Sequence, residues 1–117
     1  MPKKHRDISD YVRDLLTSID EIEQFTAGLT YDEFSQDKKT INAVVRSLEV
    51  LGEAAKHIPS QIRNKHDGIP WSKMSGLRDV LIHDYMGVDV RTVWNVAVKR
   101  IKEIRPPIAA LLADLEE

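Results

Sequence analysis

The chain lacks cysteine altogether in its 117 residues, which excludes disulfides, thiol nucleophiles and thiolate metal sites in one step. It also lacks any run near the roughly 20 apolar residues that span a bilayer. Its basic start, "MPKKHRDISD", leads into an amphipathic pattern and not into the apolar core of a signal peptide. The expectation is a cytoplasmic protein with no membrane partner. A net charge of −2 argues against a polycation that coats nucleic acid, so any such contact must be local. No alternating β pattern, internal repeat, phosphate-cradling glycine loop or G-x-S-x-G elbow is present. At this length one domain, residues 1–117, with a single modest core is expected.

Glycine and proline are scarce, five of each, and nearly everything between them has helical period. Ile8, Tyr11, Val12, Leu15, Ile19 and Ile22 form one apolar stripe, with Ser9 and Asp10 near its capped start and Gly28 as its stop. Thr30 can cap the short segment "TYDEF". A second long helix is predicted from about Gln36 to His57, its core face carrying Ile41, Val44, Val45, Leu48, Leu51 and Ala55. Gly52 falls on that face, where it costs about 1 kcal/mol of helix propensity and suggests close approach of a neighbour. Pro59 ends the helix, and Ser60 to Lys65 can form a turn.

Pro70 suits the start of a third helix, "WSKMSGLRDVLIHDY". Asp89 caps a fourth, whose Val90, Val93, Trp94, Ala97, Ile101 and Ile104 share one face. Pro106 and Pro107 are expected to break or kink it. Four long helices plus short ones give an all-α class, an antiparallel helical bundle.

One segment carries a concentration of chemistry. "GLRDVLIHDYMG" brings Arg78, Asp79, His83, Asp84 and Tyr85 into eight residues. An arginine offers a planar, permanent cation for a phosphate, and a histidine gives or takes a proton near neutral pH. Together they suit RNA cleavage: a base takes the 2′-OH proton, an acid protonates the leaving 5′-oxygen, and a cation steadies the phosphoryl charge. In a continuous helix at about 100° per residue, Arg78 and Tyr85 lie within about 20° of each other, but His83 points about 140° away from Arg78. Convergence then requires either a helix that ends near His83 or a symmetric dimer that pairs two subunits' groups. On chemistry alone a surface ion pair and a C-terminal cap remain open readings.

"RDVLIHDY" resembles the R-x4-H-x-Y motif of the HepT-like toxins in the HEPN domain superfamily. "LEVLGEAAKHIP" is similar to that family's I-G-E-A-A segment, "IPWSKMSGLRDVLIHDY" to its I-P-W block, and "VDVRTVWNVAVKRIKEIRPPIAALL" to its final helix. The similarity covers most of the chain from about Tyr31 onward, and the first helix matches in pattern only. The resemblance implies a homodimeric bundle with two Arg–His motifs at the base of an inter-subunit cleft. It implies a metal-independent endoribonuclease, the toxin of a type VII-like toxin–antitoxin pair, with RNA as substrate and tRNA among the candidates. The implied partner is a minimal nucleotidyltransferase antitoxin that silences the nuclease by AMPylation of the motif tyrosine. Carried over, Arg78 holds the scissile phosphate, His83 is the acid/base, Tyr85 is the modified residue and Asp79 orients the motif. Asn is commoner than Asp at that polar position, so Asp79 adds negative charge beside the phosphate. The alternative is a non-catalytic, nucleotide- or substrate-binding regulatory partner of a nucleotidyltransferase.

Glu53 matches the glutamate of the G-E-A segment. Its ordinary reading is an ion pair, with Arg46 near it on the helical wheel. His5, His57 and His66 have no metal-ligand spacing and are expected to be exposed; no metal and no cofactor is implied. Trp71 and Trp94 are expected as core or interface aromatics. The stretch from Arg91 to Arg105 offers a basic patch, read first as a solvated helix face.

Overall fold

The computed structural model describes residues 6–83 and 87–117, with only the backbone of Ile82 and His83. His5, Asp84 and Tyr85 lie outside the described residues. Helix α1 spans Ile8–Thr26, α2 Tyr31–Ser35, α3 Lys38–Lys56 and α4 Ser60–Lys65. Two five-residue helices follow, α5 (Trp71–Ser75) and α6 (Leu77–Leu81). Strand β1 (Ile82–His83) pairs antiparallel with β2 (Gly87–Val88), Ile82 opposite Val88 and His83 opposite Gly87. The last helical run is α7 (Val90–Asn95), a π-helical segment (Val96–Arg100) and α8 (Ile101–Leu115).

The caps follow from local chemistry. At the start of α1 the Asp7 amide donates to the Asp10 carboxylate at 3.1 Å, and beyond its end Gly28 sits at φ +76°. Thr30 and Glu33 exchange amide and side-chain hydrogen bonds of 2.9 and 3.2 Å across the first turn of α2. The Asp37 carboxylate accepts from the Thr40 amide and hydroxyl at 3.1 and 2.6 Å, which holds that carboxyl below its usual range. Asp89 caps α7 through the Thr92 amide, as the sequence predicts. Apart from the Thr40 hydroxyl bond, each satisfies a helix-end amide that has no partner within its own helix.

The core gathers the expected faces: Val12, Leu15, Ile19 and Ile22 of α1 against Val44, Leu48, Leu51 and Ala55 of α3, all buried. Ile101, Ile108 and Leu111 of α8 pack onto α1 from another side. Phe34 is buried, and the Trp94 ring tilts against it at 5.0 Å, tying α2 to α7. Trp71 is buried as well, its indole N–H donating to the His66 carbonyl at 3.0 Å. Across the outside, Arg105 grips the Asp20 carboxylate with two bonds of 2.8 and 3.2 Å, linking α8 to α1.

Two helical expectations are corrected. The third helix does not run from Trp71 through Tyr85: it divides at Gly76 and ends at Leu81. The β-branched Ile82 begins an extended segment that Gly87, at φ +94°, allows to fold back on itself. The Leu81 carbonyl then accepts from the Asp89 amide at 2.9 Å. Pro106 and Pro107, by contrast, do not break the last helix, which continues through both. Each proline costs about 3 kcal/mol in a helix interior. Buried Ile101, Ile104, Ile108 and Leu111, at about 1.5–3 kcal/mol each, outweigh that. The carbonyls left without donors belong to Lys102 and Glu103, both solvent-exposed, so water can serve them.

Candidate active site

Gly52 sets the geometry of the site. A Cβ placed there would lie 2.8 Å from the Met74 carbonyl oxygen, inside any tolerable contact. The glycine therefore lets α5 seat its backbone against α3, as its place on the apolar face suggests. Since α6 follows α5 after a single residue, this contact also positions Arg78.

Arg78 of α6 lines a groove of about 590 Å³ shared with α1, α3 and α5. Helix α3 contributes Arg46, Glu49 and Glu53 with His57 at its C-terminal cap, α1 contributes Tyr11 and Asp14, and Ser75 and Arg6 also line it. Arg46 and Arg78 are exposed, and among the described residues neither meets a carboxylate. Arg6 does, holding Asp14 at 2.7 Å. Glu53 is two-thirds exposed and stands 3.7 Å from Lys56 and 4.0 Å from His57. The ion pair expected for Glu53 thus exists, with Lys56 in place of Arg46 and the His57 ring beside it.

Asp79 is exposed, and among the described residues its carboxylate touches no partner. The His83 side chain and all of Tyr85 lie outside the described residues. The backbone nevertheless removes an obstacle. With α6 ending at Leu81, the angle of about 140° between Arg78 and His83 in an ideal helix no longer applies.

His57 is exposed as expected, but His66 is half-buried. Sequence reasoning missed how His57 is held: its ring stacks on that of Tyr11, centroids 4.5 Å apart and planes 7° from parallel. No local signal announces a contact between residues 46 positions apart. The basic stretch is neutralised in part: Arg105 pairs with Asp20 and Arg100 with Glu103 at 3.7 Å, while Arg91 lies over the Tyr31 ring at 3.7 Å. Among the described residues no His/Asp/Glu group could hold a metal ion, and no helix is long and apolar enough to cross a membrane.

The fold and groove define a small all-α protein with a groove of mixed charge beside one short helix. A family profile described as "Ribonuclease HepT-like" matches residues 15–111. A "Putative RNase" of Methanocaldococcus jannaschii is 46% identical over 117 residues, covering 100% of this chain and 99% of that relative. A "Probable ribonuclease HepT" of Thermococcus cleftensis is 44% identical over 90% of this chain and 93% of its own. A "Putative RNase" of Caldanaerobacter subterraneus is 35% identical over 87% and 91%. No solved structure matches significantly. The chain belongs to the HepT-like ribonuclease family.

Proposed function

We propose that this protein is an endoribonuclease toxin that cuts RNA with Arg78 and His83. The observation that carries the reading is Arg78 itself, an exposed guanidinium lining a groove with no carboxylate to neutralise it among the described residues. An arginine so placed offers two parallel N–H donors to a phosphodiester. His83, two residues beyond the end of α6, is assigned the proton transfers at that phosphate. One imidazole takes the 2′-OH proton as that oxygen attacks phosphorus. The P–O5′ bond breaks, and the 5′-oxygen leaves with a proton from an imidazolium. Arg78 balances the charge on the phosphoryl oxygens, so the reaction needs no metal. In a homodimer the two His83 residues could divide the acid and base roles across the cleft.

Regulation follows from the same charges. An AMP group on Tyr85 would add bulk and negative charge to the motif segment and oppose binding of the RNA phosphate. A minimal nucleotidyltransferase antitoxin is the proposed partner. Asp79 is assigned to orienting the motif, and Glu53 to supporting the groove through Lys56 and His57.

Arg78→Ala and His83→Ala are each expected to reduce RNA cleavage at least ~100-fold, the usual scale for removing a proton-transfer or charge-stabilising group. Both should also relieve growth inhibition. Measurement of cleavage by the purified variants checks this, and wild-type rates in either would overturn the assignment. Wild-type protein that neither cuts RNA nor inhibits growth would point to the regulatory, non-catalytic reading.

A further inference from the structure

We propose that the imidazole of His57, backed by Tyr11, is a stacking platform for one base of single-stranded RNA whose phosphate lies on Arg78 and Arg46; this rests on the nuclease reading above. Tyr11 has His57 parallel to it at 4.5 Å and the Arg6 guanidinium 4.8 Å from its centroid. A face already covered by a parallel ring has no room for a guanidinium, so the three groups form a column, Arg6–Tyr11–His57. Tyr11 has no free face left; His57 has one. The His57 side chain is 48% exposed, and with its Tyr11 face covered that exposure belongs to the other face and the edge.

The column is anchored at its Arg6 end. Arg6 is held by Asp14 at 2.7 Å, and the imidazole edge faces the Glu53 carboxylate at 4.0 Å. A base docking on His57 would therefore meet a ring already ordered, and pre-ordering strengthens binding by reducing what must be immobilised. The phosphate side is equally ready. Arg46 and Arg78 line the same groove without carboxylate partners among the described residues; of its three carboxylates Asp14 and Glu53 are engaged by cations, and Glu49 forms no ion pair with either arginine. A volume of about 590 Å³ lies within the range that encloses one small ligand.

Stacking reads the face of a base and not its edge, so the platform would accept any base. It would reject a base inside a duplex, both of whose faces are covered, and so would favour loops and unpaired ends.

The test is fluorescence anisotropy with a short, fluorescein-labelled oligoribonucleotide carrying 2′-O-methyl riboses, which cannot be cut through the 2′-OH. His57→Ala should weaken binding on the order of tenfold. His57→Phe, which keeps a flat ring over Tyr11 but cannot carry charge, should recover most of the loss. Cleavage of the all-ribose strand should show the His57→Ala defect in KM and not in kcat. Unchanged affinity in His57→Ala would overturn the platform, as would a His57→Phe variant as weak as His57→Ala. Wild-type protein that holds the uncuttable RNA through His57 but leaves the all-ribose strand intact upholds the platform and overturns the nuclease. Wild-type protein that cuts RNA while His57→Ala binds normally does the reverse.

Discussion

Tyr85 and Arg78 show what single residues can and cannot tell. Arginine, histidine and tyrosine stand within eight positions, so their chemistry could be read directly from the chain. Their resemblance to a known motif gave that chemistry a direction. His57 could not be read so. Nothing in the surrounding sequence separates an exposed helix-end histidine from one stacked on Tyr11 at 4.5 Å. Tyr85 carries the prediction at this scale. Co-expression with the proposed nucleotidyltransferase should raise the intact mass by whole adenylyl units and suppress cleavage. Tyr85→Phe should show no mass gain and keep its nuclease activity in the presence of that partner. A mass gain that survives in Tyr85→Phe would move the modification elsewhere.

Helices α3 and α5 meet at a position where a methyl group has no room. Gly52→Ala gains about 1 kcal/mol of helix propensity but sets a Cβ 2.8 Å from the Met74 carbonyl. Overpacking of this kind costs about 1–3 kcal/mol. The colliding atom is backbone, which yields less readily than a side-chain tip, so a net loss of roughly 1–2 kcal/mol is expected in urea unfolding. Because α5 carries Arg78 through α6, RNA cleavage should fall further than stability alone explains. A Gly52→Ala protein with unchanged urea midpoint and activity would refute the close-packing role. Helix α8 teaches the complementary lesson. Its two prolines argue locally for a break, yet one buried face and solvent-exposed carbonyls keep the helix whole.

Over the whole molecule, α1 is clamped between α3 and α8, and the Asp20–Arg105 pair closes the outside of that sandwich. The Arg105 guanidinium bonds the Asp20 carboxylate and holds it below its usual range. A depressed carboxyl contributes stability above its unfolded pKa, near 3.9, and loses it as pH falls through the folded value. Both side chains are more than a third exposed, 48% and 41%, so solvent screening limits the pair to at most about 1 kcal/mol. Asp20→Asn should therefore lower Tm by about 2–5 °C at neutral pH. The gap from wild type should narrow as pH falls through the lowered folded-state value of Asp20. A series of thermal melts descending from pH 7 checks this; a gap that does not narrow with acidification would assign the effect to packing.

By itself the sequence determined the all-α class, the caps at Thr30 and Asp89, the buried faces of α1 and α3, the need for Gly52, and the residues of the Arg–His motif. All of these are written in contiguous stretches, where periodicity, capping and motif spacing act over a few residues. Only the tertiary structure decided that the third helix stops at Leu81, that α8 survives its prolines, and that Tyr11, Arg46, His57 and Arg78 share one groove. Those outcomes depend on contacts between segments distant in the chain, where buried area and backbone collisions override local preference.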